Sequence, residues 1–283
     1  MEEIIDLHLH TNLSDGRLSP NELVKKAIFQ ECRKIAITDH EVINDYSDLA
    51  NSYGISIING IEFNTSVRGM HILGYGIMDI ERLRAFVDDL RFKNQVVCYK
   101  VIELLQKGGF DISVLQIKEF LDERNIDSTI IDKRKIVKYL IFKGYADTVL
   151  GAYEMLIGPK APYYVPNIKI TPMETIKIIR DCGGLSVWAH PFTVTTNYDD
   201  LLAMAHELKK GGLDGIEIFN KKANLFDSFV LFQIAERLNL IETVGSDFHD
   251  PNEDTLGVKV NEQVYEKFAK HLTLRRVNDD IIR

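Results

Sequence analysis

Near its start the chain reads DLHLHTNLSDG, from Asp6 to Gly16, which sets His8 and His10 one residue apart between Asp6 and Asp15. On a strand, residues i and i+2 leave the same face, so both imidazoles can reach one metal ion. The chain has eight histidines. Six of them (His8, His10, His40, His71, His190 and His249) fall in or just after strand-like runs, all but His71 near a carboxylate or a proline turn. His206 and His271 lie in charged helical stretches and read as solvated. The carboxylates sort in the same way, with Asp15 in the first strand's loop, Glu62 after the third strand and Asp247 after the last.

Histidine nitrogen combined with carboxylate oxygen is the donor mix of zinc, manganese or iron sites, and the lack of cysteine donors points to catalysis rather than a structural site. Nine such groups exceed what one ion can use. A glutamate can bridge two ions, so two or three divalent metals, Mn2+, Fe2+ or Zn2+, are expected close together. Asp39 precedes His40 and is open to three roles: ligand, orienter of an imidazole, or general acid. Asp6, on the strand face of His8 and His10, reads as a supporting residue.

These groups need elements that bring them to one place. Residues 4–10 run as a buried strand, and Ser19-Pro20-Asn21-Glu22 reads as a capping box with proline in the first helical turn. The pattern recurs with Ile35 to Thr38 before Asp39-His40, Ile55 to Ile58 before Gly60-Ile61-Glu62, and Met70 to Tyr75 carrying His71. A second capping box, Thr171 to Glu174, precedes GGLSVWAHP (Gly183 to Pro191) with His190; Gly215 to Phe219 and Glu242 to Ser246 follow, the latter running into Asp247. About seven strands alternating with helices predict parallel βαβ units closed, or nearly closed, into an α/β barrel, whose strand ends gather polar residues at one mouth.

The rhythm stops between residues 80 and 165. Asp79 to Gly109 reads as one long helix, with further helical segments at Val114 to Arg124, Lys133 to Lys143 and Thr148 to Ile157. The expected organisation is a barrel domain from 1–80 and 165–283 with a helical insertion over 81–164. Cys32, Cys98 and Cys182 are an odd, scattered set and read as buried thiols. The net charge of −8 argues against binding long nucleic acid. No stretch is apolar enough for a membrane helix, and the N-terminus shows no signal-peptide layout, so a cytoplasmic protein is expected.

DLHLHTNLSDG, ITDHE, NGIEF, MHILGY, WAHP and GSDFH, in this order, resemble the motifs of the polymerase and histidinol phosphatase (PHP) family of metal-dependent phosphoesterases. The resemblance implies a distorted seven-stranded (β/α)7 barrel with a trinuclear metal centre at its mouth. It implies that His8, His10, Glu62 and Asp247 hold a first ion; that Glu62, His71 and His190 hold a second; and that Asp15, His40 and His249 hold a third. The insertion followed by YYVPNIKITPMETIKII is similar to the branch acting on nucleoside 3′,5′-bisphosphates and short RNA. That branch's Gly-Arg-Pro-His-like element is replaced here by Asp132-Lys133-Arg134-Lys135, which keeps positive charge and nominates Lys133, Arg134 and Lys135 as substrate contacts.

Two adjacent divalent ions generate a bridging hydroxide suited to in-line attack on phosphorus. The expected activity is hydrolysis of phosphate monoesters of small metabolites, nucleotides such as nucleoside 3′,5′-bisphosphates foremost, with a short oligonucleotide as a further substrate. Asp39 is the catalytic side chain expected beside that hydroxide. The alternatives are an amidohydrolase-type enzyme, a histidinol-phosphate-like phosphatase, and a non-catalytic metal-dependent binding module.

Overall fold

The computed structural model describes residues 2–124, 126, 128–220, 223–252 and 255–282. Its strands are β1 (Glu2–Leu9), β2 (Lys34–Ile37), β3 (Ser56–Asn64), β4 (His71–Tyr75), β5 (Leu185–Ala189), β6 (Gly215–Phe219), β7 (Ile241–Val244) and β8 (Val258–Asn261). Its helices are α1 (Pro20–Phe29), α2 (Ser47–Tyr53), α3 (Ile80–Lys107), α4 (Val114–Asp122), α5 (Lys133–Phe142), α6 (Val149–Ala152), α7 (Pro172–Asp181), α8 (Tyr198–Lys210), α9 (Leu225–Leu238) and α10 (Glu262–Ile282). The chain divides into two compact units, Met1–Ala85 with Ile170–Arg283, and Phe86–Lys169.

In the first unit the strands follow the order β7-β6-β5-β4-β3-β2-β1-β8 in one sheet. The end of β1 meets the segment after β7 through a parallel bridge between Leu9 and Phe248, where the His10 N–H donates to the Phe248 carbonyl at 3.0 Å. The result is a nearly closed α/β barrel. One apolar cluster joins Ile5, Leu7, Leu73, Val187 and Val244 with Phe268 of α10. A second packs Leu9, Ile35 and Phe248 against Leu23, Val24 and Ala27 of α1. Both capping boxes form: the Ser19 and Thr171 N–H groups donate to Glu22 and Glu174 at 2.9 and 2.7 Å.

Three features depart from the sequence expectation. The strands are not all parallel, because β4 runs antiparallel to both β3 and β5. The reversal places its first residue, His71, opposite Asn64 and Ala189, the last residues of its neighbours. An eighth strand, β8, pairs antiparallel with β1; four residues flanked by loop give too short a period-2 signal to read. Third, β3 continues through Asn64, so Glu62 lies inside the strand. Gly60 does not end that strand. A Cβ there would stand 2.7 Å from the Thr38 methyl and 3.0 Å from the Ile37 carbonyl oxygen, so glycine permits close approach of β2.

The second unit has its own apolar core, built on Val101, Leu105, Ile117, Leu121, Ile136 and Leu140. α3 runs unbroken from Ile80, so the boundary between units falls at 85/86, within a continuous helix where no turn signal marks it. Cys32, Cys98 and Cys182 are buried free thiols.

Asp6 ties the barrel's closing segments together. Fully buried, it accepts from the N–H groups of His8 (3.2 Å), Ser246 (2.8 Å) and Gly257 (2.7 Å); burial pushes its carboxyl up to about 6. Substituting Asp6→Ala leaves these three donors without their acceptor and is expected to cost about 3 kcal/mol, at the low end of ~1–3 kcal/mol for each unsatisfied group. Urea unfolding measures this, and a loss below about 0.5 kcal/mol would remove Asp6 from its proposed role.

Candidate metal centre

The site is assembled from strand ends. Asp6 and His8 lie on β1 and His10 directly follows it, all three fully buried; the register to β2 carries one extra residue between Asp6 and Leu9. Such a bulge re-aims the side chains beside it. The following loop is drawn back under β1: a Cβ at Gly16 would fall 2.4 Å from the His10 carbonyl oxygen, so only glycine fits there. Asp39 fixes the same loop. Its carboxylate accepts from the Thr11 N–H at 2.7 Å, the Thr11 hydroxyl at 2.6 Å and the Ser14 hydroxyl at 2.6 Å. Both its oxygens thus hold the segment that carries Asp15.

At the centre lies Glu62, fully buried. Its Oε2 is 3.2 Å from His8 Nε2, 3.1 Å from His10 Nε2 and 3.4 Å from His40 Nε2. Its Oε1 is 2.8 Å from His71 Nδ1 and 2.9 Å from His190 Nε2. Asp247 Oδ1 stands 3.5 and 3.4 Å from His8 Nε2 and His10 Nε2. Asp15 reaches His10 Nδ1 at 3.6 Å, His249 Nε2 at 3.4 Å and His40 Nε2 at 3.8 Å. The donors form three overlapping groups whose atoms lie within 4.8 Å of one another: His8, His10, Glu62 and Asp247; His10, Asp15, His40 and His249; His40, Glu62 and His71. His190 adjoins the last through Glu62. His206 and His271 lie outside the cluster, beside Glu207 and the Lys267 carbonyl.

These groups are packed for something other than one another. His8 Nε2, both ring nitrogens of His10 and Glu62 Oε2 are buried without a well-formed hydrogen bond, although an unsatisfied buried polar atom costs about 1–3 kcal/mol. Oxygen and imidazole donors converging on a shared space fit divalent zinc, manganese or iron. Electrostatics agree. Burial opposes ionisation of Glu62, yet the surrounding imidazoles hold its carboxyl well below the usual range. Burial likewise disfavours charge on His8 and His10, but Glu62, Glu217 and Asp247 outweigh it: His8 rises well above an ordinary imidazole and His10 to about 9. Asp15 and Asp247 are pulled down despite burial, chiefly by His249 and His10 respectively, while burial lowers His40.

Backbone strain marks the same positions. His190 and Asp247 have φ of 29° and 55°, and Glu41, next to His40, has 48°. Non-glycine residues are held there only when their surroundings over-determine them. Phe248, wholly buried in the α1 cluster, anchors the turn between Asp247 and His249.

One functional residue escapes the sequence reading. Glu217, in the centre of β6, is fully buried; it accepts from His8 Nδ1 at 2.9 Å and from the His190 N–H at 2.8 Å. A carboxylate only accepts, so the His8 proton sits on Nδ1 and Nε2 is left as the donor nitrogen. Thr193 does the same for His190: its hydroxyl lies 3.0 Å from Nδ1 and donates to the Gly69 carbonyl at 2.7 Å. The available signal was a single acid inside GIEIF, an otherwise apolar strand. Lys133, Arg134 and Lys135 open α5 in the second unit; the Lys133 and Lys135 ammonium groups donate to the Val165 and Ile130 carbonyls, and Arg134 pairs with Asp132 at 3.5 Å. Asn64 packs on His40 Nδ1 at 3.2 Å.

Comparison with known proteins accords with this geometry. Residues 6–158 match the model of the PHP domain. The chain belongs to that family, whose members are metal-dependent phosphoesterases, and it is a hydrolase of phosphoester bonds. It is 26% identical over 257 residues to a 5′-3′ exoribonuclease of Haemophilus influenzae, covering 89% of this chain and 92% of the relative. It is also 26% identical over 258 residues to a 3′,5′-nucleoside bisphosphate phosphatase of Chromobacterium violaceum, covering 88% of each. Among solved structures, a Bifidobacterium adolescentis protein assigned as a metal-dependent phosphoesterase shares the fold with a TM-score of 0.71, at 24% identity over 96% of both chains. Among the described residues, no helix is long and apolar enough to cross a membrane.

Substituting Glu217→Gln is expected to weaken metal binding by about 10–100-fold, the usual effect of losing a partner that orients a ligand. Metal titration of the purified variant checks this, with circular dichroism as the folding control. Unchanged affinity in a folded variant would make Glu217 a structural group only.

Proposed function

We propose that this protein removes phosphate from small phosphorylated metabolites, nucleotides foremost, with nucleoside 3′,5′-bisphosphates as the first substrates to test and short 5′-phosphorylated RNA as the second. The observation that carries the reading is the Glu62 carboxylate, set within 3.4 Å of five imidazoles. His8, His10, Glu62 and Asp247 would hold one ion, Glu62, His71 and His190 a second, and Asp15, His40 and His249 a third. When bound, such ions supply a nucleophilic oxygen at neutral pH and neutralise phosphoryl charge.

The chain's own residues provide the setting. Asp15, Glu62 and Asp247 are the acids of the mouth, in a protein of net charge −8. Without cations they repel a phosphate, so the donor set couples substrate binding to metal loading. Glu217 and Thr193 fix which nitrogens of His8 and His190 face Glu62. Asp39 holds the Asp15 loop, and Asp6 holds the turn that carries Asp247. The relatives' substrates, nucleoside bisphosphates and RNA, support the choice of nucleotides.

Phosphate release from adenosine 3′,5′-bisphosphate, histidinol phosphate and a short 5′-phosphorylated RNA, each with manganese, iron or zinc, tests the reading. Turnover of the nucleotide is expected to stop on chelation and return on metal addition. Glu62→Gln should lower kcat/KM by about a thousandfold, ~4 kcal/mol of transition-state stabilisation. Phosphate released only from histidinol phosphate, or full activity in Glu62→Gln, would overturn it.

A further inference from the structure

The loop that carries His190 also builds a second feature of the barrel mouth. Residues 191–193 form one turn of 3-10 helix, and Phe192 lines a pocket of about 430 Å3 together with Tyr198, Phe226, Phe229, Val230 and Gln233. This volume is in the range of small-molecule sites. Phe192 is two residues from His190, so their Cα atoms are at most about 7.6 Å apart. Thr193, next in the same turn, holds the His190 ring. The opposite wall is α9, which follows β6, the strand that carries Glu217.

Folding does not account for this wall. The core-facing stripe of α9 is Leu231, Ile234 and Ala235. Phe226, Phe229, Val230 and Gln233 stand at i, i+3, i+4 and i+7 on another face, with Phe226 73% and Phe229 57% exposed. The exposed Phe226 and Phe229 rings gather with Phe192 at one pocket and offer flat apolar faces to a ligand. Their chemistry narrows the ligand. Flat aromatic faces suit a planar ring, and the Gln233 amide, the Thr196 hydroxyl and the Tyr198 phenol at the same pocket can donate to and accept from its edge.

We propose that this pocket is the subsite for the heteroaromatic base of a nucleotide whose phosphate ester is cleaved beside Glu62; the inference rests on the phosphatase reading above. The ribose spans the step from the His190 turn to the aromatic wall, and the base stacks on Phe226 or Phe192. Stacking of a base on one aromatic side chain changes affinity by roughly 5- to 150-fold. The pocket thus selects nucleotides over base-free phosphate esters.

The test compares kcat/KM for adenosine 3′,5′-bisphosphate with that for the base-free sugar bisphosphate, in the parent protein and in Phe226→Ala and Phe192→Leu. Saturation-transfer NMR with adenosine reads base binding directly. The expected result is a preference for the nucleotide that falls about tenfold in each variant, mainly through KM, with loss of saturation transfer to the adenine protons. A preference that is unchanged in both folded variants would overturn the subsite. So would a concentration-dependent dimer abolished by Phe226→Ala with the preference intact, which would give this face to a second copy of the chain. If the parent hydrolyses no phosphate ester, the phosphatase reading fails, and the NMR signal alone decides the pocket: adenine saturation lost in Phe226→Ala keeps it, and no adenine saturation in the parent removes it.

Discussion

A carboxylate sealed from water among imidazoles is the constraint around which this barrel is arranged. Removing a charged group from solvent costs several kcal/mol unless opposite charge and well-made contacts offset it. Glu62 is ringed by five histidines, and although burial opposes its charge, these imidazole contacts hold its carboxyl well below the usual range. The same proximity raises the His8 and His10 imidazoles above their ordinary range against the effect of burial. A divalent ion held among these groups would give the buried atoms that lack well-made hydrogen bonds their partners.

Much of the scaffold follows from keeping Glu62 in that ring. The reversal of β4 brings His71 to the same mouth as His40 and His190. β1 carries an extra residue between Asp6 and Leu9, and β6 carries another between Glu217 and Phe219; both irregularities adjoin groups of the centre. Three buried acids share the support without duplicating it. Asp6 holds the closing segments, Asp39 the loop of Asp15, and Glu217 the orientation of His8 and the backbone of His190. Left-handed backbone at His190 and Asp247 completes the arrangement.

The donor set was legible in the chain because its chemistry is local: His8 and His10 alternate on a strand, and His40, His190, Asp247 and His249 sit at strand ends beside acids or proline. The capping boxes at Ser19 and Thr171 were legible for the same reason, each being a contact across three residues. What the chain concealed depends on distant pairing. The direction of β4 is set by its partners β3 and β5, and β8 exists only because β1 offers it an edge. Glu62 read as a residue beyond its strand, since the role of Gly60 is a close approach that only the packed sheet reveals. Glu217 looked like an incidental acid until His8, 209 residues away, was placed against it.

Anomalous X-ray diffraction from crystals grown with manganese, iron or zinc, with data collected at each metal's absorption edge, locates any ions held by Glu62. Two or three ions grouped around Glu62 are expected, with both of its oxygens coordinating and with nitrogens of His8, His10, His71 and His190 turned to the metals. Crystals loaded with metal in which Glu62 remains closed on the imidazoles and no ion touches it would rule out a metal centre built on this carboxylate.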